Sequence, residues 1–358
     1  MNFTSESLVT VLTPVYNGEK YLSECIESVL VQTYENWEYV IVNNCSTDRS
    51  LEIAQGYAKK DPRIRIHNNR EFVDIIQNHN IAFQQIASES KYCKMVHADD
   101  WLFPDCITRM VDLAEANPTV GIVGAYGLNN SGVKCIGLPY ASTVVPGREV
   151  CRRTLLGGFY VFGSPTSNLI RSDLIQKRKR LYNESHIHAD NEACFDLLQE
   201  CDFGFVHQVL TYSRQHNEAR TSLSVRFNSY LLGTLIILTK YGPIYLEKSE
   251  YEQCLRDYMD SYYRFLAESL LYRMDKELID YHTSGLRSMG HPFSWAKLLA
   301  VLGLEVLDIL GNPKNTLERL ARRIRRFVRE GTAPQVYAVK LYDGMNKGSS
   351  RIEGDWHA

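Results

Sequence analysis

The chain has 358 residues, 44% of them hydrophobic and 23% charged, a globular composition long enough to bury one large or two modest cores. Its 40 Lys and Arg against 42 Asp and Glu leave a net charge of −2, which gives no whole-molecule pull toward nucleic acid or an anionic membrane. Nine cysteines without a C-x-x-C pair argue against zinc ribbons and redox dithiols, and reduced thiols in a cytoplasmic protein are expected.

Met1 to Ser7 are polar and run straight into a strand, so no secretory leader is expected. Leu8 to Leu12 is a β-branched run. Glu19 to Gln32 places Leu22, Ile26, Val29 and Leu30 on one face, which is a helix period. Tyr39 to Val42 is the second strand, and Ser46-Thr47-Asp48 offers an N-cap for a helix through Lys59. A short third strand, Arg63 to His67, precedes a helix over Phe72 to Ala87 and a fourth strand over Tyr92 to His97. Strand and helix alternating at this spacing imply right-handed crossovers and a mostly parallel sheet. Ligands of such sheets bind beyond the carboxyl ends of the strands, where the loops are expected to start at Thr13, Asn43, Asn68 and His97.

From about residue 120 the pattern is mixed. Val120 to Tyr126 and Phe203 to Tyr212 read as strands, with helices at Gly147 to Leu156 and His188 to Glu200. Beyond Ser222 the chain reads as almost all helix: Phe227 to Lys240, Ser249 to Tyr281, Phe293 to Leu310 and Asn315 to Glu330. Phe293 to Leu310 is interrupted by Lys297, Glu305 and Asp308, too charged to span a bilayer. Trp295, Leu298, Leu299, Leu302, Val306 and Leu310 can nonetheless share one apolar face. The helix after it carries Arg319, Arg322, Arg323, Arg325, Arg326 and Arg329. Together they are expected to touch the inner leaflet peripherally, with internal packing or a homodimer seam as the other uses of that face.

The stretch richest in chemistry is Val96-His97-Ala98-Asp99-Asp100-Trp101-Leu102, where two adjacent carboxylates follow a buried strand. Such a pair repels itself, and burial makes the repulsion worse. A divalent cation, Mn or Mg, would remove the conflict and would arrive with a nucleoside diphosphate. The other reading is a helix N-terminus favoured by the dipole. After the first strand comes Thr13-Pro14-Val15-Tyr16-Asn17-Gly18, with one glycine where a dinucleotide fingerprint needs three, and no Walker loop occurs. A bound nucleotide would therefore have to be held by metal.

Four segments together carry a resemblance. Val11-Leu12-Thr13-Pro14-Val15-Tyr16-Asn17, Ser28-Val29-Leu30-Val31-Gln32-Thr33-Tyr34, Val42-Asn43-Asn44-Cys45-Ser46-Thr47-Asp48 and His97-Ala98-Asp99-Asp100 are similar, in order and spacing, to the signatures of the family 2 glycosyltransferases. The resemblance implies the GT-A fold, a mixed, mostly parallel sheet between helices, followed here by an α-helical extension. It implies a nucleotide-sugar half over 1–120, an acceptor half over 121–220, the extension over 221–330 and a tail over 331–358. It implies inverting transfer of a sugar from a nucleoside diphosphate donor, a UDP-sugar foremost, to a glycan or lipid-linked acceptor hydroxyl, in bacterial surface glycan synthesis.

Carried over by position, Pro14, Val15 and Tyr16 would hold the nucleobase, Tyr16 by stacking. Asn44 stands where the family usually has an aspartate accepting from the base, and Asn78 and Ala98 would line the nucleotide. Asp99 matches the carboxylate near the ribose, Asp100 the metal carboxylate, and Asp190 the catalytic base. Ser164 and Thr166 match a loop beneath the acceptor, Glu192 sits beside the base, and Arg214 and His216 approach the diphosphate. Asn43-Asn44 replaces the usual Asp-Asp pair, giving an uncharged acceptor, and His97 replaces the first Asp of Asp-x-Asp, where a packed, hydrogen-bonded histidine is expected. His186 and His188 are expected to be polar loop groups or acceptor contacts rather than a zinc site. These departures favour the competing reading of a catalytically silent binding or assembly module. A metal-dependent nucleotidyltransferase is the other rival, and its Gly-rich, basic first loop is missing.

Overall fold

A computed structural model describes residues 6–214, 226–272 and 275–311. The chain divides into two compact units, one made by Met1–Thr154 with Phe159–Gln215, the other by Leu155–Gly158 with the remainder from His216.

The first unit is built on a ten-stranded sheet ordered β3-β2-β1-β4-β9-β6-β10-β5, with β7 on β6 and β8 on β10. Strands β1 (Val9–Val15), β2 (Trp37–Asn43), β3 (Ile64–Asn68) and β4 (Tyr92–Met95) pair in parallel. Between them run α1 (Leu22–Leu30), α2 (Ser50–Ala58) and α3 (Ile75–Phe83). β5 (Trp101–Leu102) leads into α4 (Cys106–Ala116). β9 (Asn168–Arg171) lies antiparallel between β4 and β6 (Val120–Asn129), and β10 (Asp202–Tyr212) then runs parallel to β6. One reversed strand therefore separates two blocks that point the same way. β7 (Gly132–Lys134) and β8 (Val144–Val145) are short antiparallel additions, and α5 (Gly147–Leu155), α6 (Ser172–Gln176) and α7 (Ala189–Leu197) complete the unit.

The local sequence explains most of these choices. β1 is buried at all seven positions, as a central parallel strand must be, so apolar residues face both sides and its two threonines, Thr10 and Thr13, are buried with them. It extends past Leu12 to Val15, because Thr13 satisfies its hydroxyl inside, against Val96 O and Tyr39 OH at 2.8 Å each. The first loop therefore starts at Tyr16 and not at Thr13. α2 starts at Ser50 rather than at Ser46-Thr47-Asp48, and Asp48 accepts from Ser50 N at 2.9 Å. α3 is shorter than Phe72–Ala87: Asp74 accepts from Ile76 N at 3.1 Å and Gln77 accepts from Asp74 N at 3.1 Å, a capping box that fixes its start.

The second unit is helical, with Ser229–Tyr245, Lys248–Tyr272, Lys276–Ser288 and Trp295–Gly311. The single helix expected over Ser249–Tyr281 is two, because Asp275 accepts from Leu278 N at 3.1 Å and caps a new start. Its interior is rich in tyrosine. Tyr262 and His282 are fully buried; His282 Nε2 donates to Phe227 O at 2.7 Å and Nδ1 accepts from Tyr262 OH at 2.6 Å. Burial pushes the His282 imidazole down to about 4. Leu298 faces this interior, while Trp295, Leu299, Leu304, Leu307 and Leu310 are exposed. No described helix is long and apolar enough to cross a membrane. The arginine-rich segment and the tail lie outside the described residues.

Candidate functional site

β4 ends at Met95, and the chain turns over Val96–Asp100 into β5. The turn closes with Asp100 N donating to His97 O at 3.0 Å and brings ligand atoms of His97, Asp99 and Asp100 within 4.8 Å of one another. Among the described residues this is the cluster whose side chains could hold a cation together. Nitrogen and carboxylate oxygen are suitable donors for a divalent ion, and the site lies where a parallel sheet leaves room for ligand.

Asp100 is 4% exposed. Its Oδ2 accepts from Thr166 Oγ1 at 2.6 Å and Ser213 Oγ at 3.3 Å, and its Oδ1 from Arg214 N at 2.9 Å. Burial pushes this carboxyl up to about 6, and the Asp99 charge adds to that; His97 and the donors from Thr166 and Arg214 pull it back. A buried carboxylate beside a second acid is poised to gain from a cation. Arg214 lies over the Tyr21 ring at 4.1 Å, donates from Nε to Asp99 O at 3.1 Å and pairs with Glu24. Trp101 and Tyr212 stack at 3.7 Å beside it.

Thr166 is supplied by a 3₁₀ turn, Pro165–Ser167, just before β9. Beneath it lies Lys94, fully buried in the middle of β4, with Nζ donating to Thr166 O at 2.6 Å and Asn168 O at 3.2 Å. Burial lowers the lysine's affinity for its proton. Gly163 enters the turn at φ +64°, where a Cβ would lie 2.4 Å from Ser167 Oγ. Ser164 Oγ lies 3.2 Å from Ser213 Oγ.

On the nucleotide side, Pro14 and Val15 are buried in β1, and Tyr16 is half-exposed against exposed Phe72, ring centroids 4.8 Å apart. Asn44 is 2% exposed. Its Nδ2 donates to Val73 O at 2.9 Å and its Oδ1 accepts from Val73 N at 3.0 Å and Asn69 Nδ2 at 2.9 Å. The amide pairs with the Val73 backbone as a strand neighbour would. Asn78 is also buried, accepting from Asn69 Nδ2 at 2.9 Å, and Ala98 is half-buried beside Asp99. Asn44 and Asn78 thus belong to one buried asparagine cluster behind the loop that carries Phe72.

On the other side, Asp190 sits in the first turn of α7 and lines a small cavity with Ser164, Pro165, Asn168 and Asn191. The cavity has about 10 Å³ for a water centre, roughly one molecule. Burial raises the Asp190 carboxyl, opposed by the backbone N–H of Asn191, by His97 and by His186. Glu192 is turned away: its buried carboxylate accepts from His186 Nε2 at 2.6 Å and Asn183 Nδ2 at 3.1 Å. His186 is thereby tied to Glu192 in the loop before α7. His216 lies outside the described residues.

Residues 10–179 match the family model of glycosyl transferase family 2. This stretch is a family 2 glycosyltransferase domain. An uncharacterized glycosyltransferase of Haemophilus influenzae is 28% identical over 189 residues, covering 51% of this chain and 58% of that protein, so the chain spans under two thirds of that relative. Among solved structures, S. aureus TarS 1–349 in complex with UDP-GlcNAc matches with a TM-score of 0.58 at 16% identity, over 90% of this chain and 92% of that one. Pyrobaculum calidifontis mannosyltransferase PcManGT, in complex with GDP-Man and Mn2+, matches with a TM-score of 0.51 at 16% identity, over 96% and 88%. At such identity these neighbours establish the shared GT-A fold.

Four residues of the family 2 domain's site escaped the sequence reading. Ser213, Phe72 and His79 carried no signal beyond their neighbourhood. Lys94 did carry one, since a lysine inside a strand that must be buried on both faces needs a reason.

Proposed function

We propose that the chain transfers a sugar from a nucleoside diphosphate donor, a UDP-sugar first, to an acceptor hydroxyl with inversion at the anomeric carbon. The observation that carries this reading is the buried Asp100 beside Asp99 and His97, at the carboxyl edge of a GT-A sheet. Their donor set suits a divalent cation, with Asp100 the principal ligand and Mn2+ or Mg2+ the ion. When bound, that cation neutralises the leaving diphosphate.

The chain's own residues supply the rest. Tyr16 and Phe72 offer exposed ring faces to a nucleobase, and Pro14, Val15 and Ala98 shape the floor. Asp99 is placed for the ribose. Arg214, held by Asp99 O and the Tyr21 ring, brings a fixed positive charge to the phosphate side. Asp190 is assigned as general base: an inverting displacement needs a carboxylate opposite the leaving group to take the hydroxyl proton. Its raised affinity for a proton favours that task. Ser164 borders the acceptor's approach, whereas Thr166, expected to do the same, is fully buried and spends its hydroxyl on Asp100. Within this reading the acceptor is a surface glycan precursor on a lipid carrier, met at the inner leaflet through the exposed apolar face of Trp295–Gly311.

Calorimetric titration with UDP, GDP and dTDP, with Mn2+ and then with chelator, tests the reading. We expect one nucleotide to bind at least about tenfold more tightly with metal, and Asp100→Ala to erase the metal-dependent part with the fold intact. Affinity indifferent to chelator would defeat it, and metal-dependent binding without sugar transfer would mark a silent module.

A further inference from the structure

The cluster around Asp100 includes a histidine whose bonding atom and orientation have yet to be given. We propose that His97 is itself a ligand to the divalent cation, through Nδ1, and that His79 is a positioning residue that fixes the tautomer making this possible. The proposal rests on the nucleotide-sugar reading of the site and deepens it.

His79, on α3, is 5% exposed, and its Nδ1 lies 2.7 Å from Ile75 O. A carbonyl only accepts, so that nitrogen carries the proton. Its other nitrogen, Nε2, lies 3.0 Å from His97 Nε2. Two ring nitrogens at this distance share one hydrogen. Buried imidazole is neutral, so His79 Nε2 has a lone pair and His97 Nε2 must donate. With Nε2 of His97 donating to His79, Nδ1 is the ring nitrogen left to meet a cation. That atom faces the acidic corner, 3.9 Å from Asp100 Oδ2.

The distance is informative. It is too long for a hydrogen bond. Two donor atoms each about 2.1 Å from one ion stand roughly 3 to 4 Å apart, so the gap fits shared coordination better than direct contact. His97 is 30% exposed on its side chain, so the corner is open to an arriving ion. The chain Ile75 O, His79, His97 repeats the arrangement in which a metal-bound imidazole donates its far N–H to a second group that orients it. His97 N also donates to Thr166 Oγ1 at 3.1 Å, while Thr166 Oγ1 donates to Asp100, so one hydroxyl aligns both ligands.

An imidazole among carboxylates changes which ion is preferred. Mg2+ favours oxygen, whereas Mn2+, Co2+ and Zn2+ accept nitrogen. The site should therefore prefer Mn2+ or Co2+ to Mg2+ more strongly than an all-carboxylate corner would.

The test uses the full chain loaded with Mn2+ and UDP and read by pulsed EPR, which detects a nitrogen bonded to manganese without any turnover. The wild type is expected to show imidazole 14N modulation, and His97→Gln to lose it. His97→Asp should lose it as well, with the preference for Mn2+ over Mg2+ falling roughly tenfold. His79→Phe should retain the fold by calorimetry and weaken Mn2+ binding, because nothing then fixes His97. Mn2+ bound with UDP but lacking nitrogen modulation would overturn the proposal and leave the nucleotide-sugar reading standing. Mn2+ that fails to bind with UDP, GDP or dTDP would overturn both.

Discussion

Asp190 and Glu192 are two residues apart in the same first turn, yet the structure gives them different chemistry. Glu192 is committed to His186 and Asn183 and has little left to offer a substrate. Asp190 is bordered by a small, mostly apolar cavity and holds its proton more tightly than an ordinary carboxyl. Asp190→Asn is therefore expected to keep donor binding and lower turnover by roughly two to four orders of magnitude. Single-turnover rates within a few-fold of wild type would place the base elsewhere. The Asp99–Asp100 pair was visible in the sequence because adjacent acids leave a local mark, whereas Asp190 was singled out through the family resemblance. The hydrogen-bond partners were not, since Thr166 lies 66 residues from Asp100 and Arg214 lies 114 residues away. No local pattern reports contacts of that span.

At the scale of the element, the turn Pro165–Ser167 does the joining. β9 was not expected from the sequence: four residues, Asn168–Arg171, with no alternation, recruited because β4 and β6 both present an open edge to it. The long parallel strands were legible because continuous β-branched runs have few other uses. Helix starts were less legible, as α2 and α3 show, because capping side chains can act one or two residues from where a pattern begins. Lys94 ties the turn down from below. Lys94→Met keeps the length and removes the donor, leaving the carbonyls of Thr166 and Asn168 short of a partner. We expect a loss of about 1–3 kcal/mol in chemical denaturation and a several-fold loss of metal-dependent nucleotide affinity as Thr166 drifts from Asp100. Unchanged affinity at reduced stability would confine Lys94 to packing.

For the whole molecule, the helical unit sets a limit in acid. His282 is neutral when folded, at about 4 against an ordinary value of 6.5. A depressed histidine favours the fold fully above 6.5, and that contribution is lost as pH falls toward 4. About 2.5 units correspond to roughly 3 kcal/mol. The stability advantage of wild type over His282→Gln should shrink by that order between pH 7 and 4 in calorimetry of the full chain; a gap independent of pH would exclude the linkage. The apolar face of Trp295–Gly311 makes a separate prediction. The intact chain should float with anionic vesicles at low salt, less so as salt rises, and Leu299→Asp with Leu307→Asp should abolish flotation. Wild type that ignores such vesicles would leave that face for a second copy of the chain. A last consequence concerns the loop that carries Phe72. Asn44 both donates to and accepts from Val73. An aspartate at 44 could only accept, and would set a charge against the Val73 carbonyl. Asn44→Asp would thus loosen the loop bearing Phe72. One amide, facing inward, does the work of a stretch of strand in keeping an exposed ring in place.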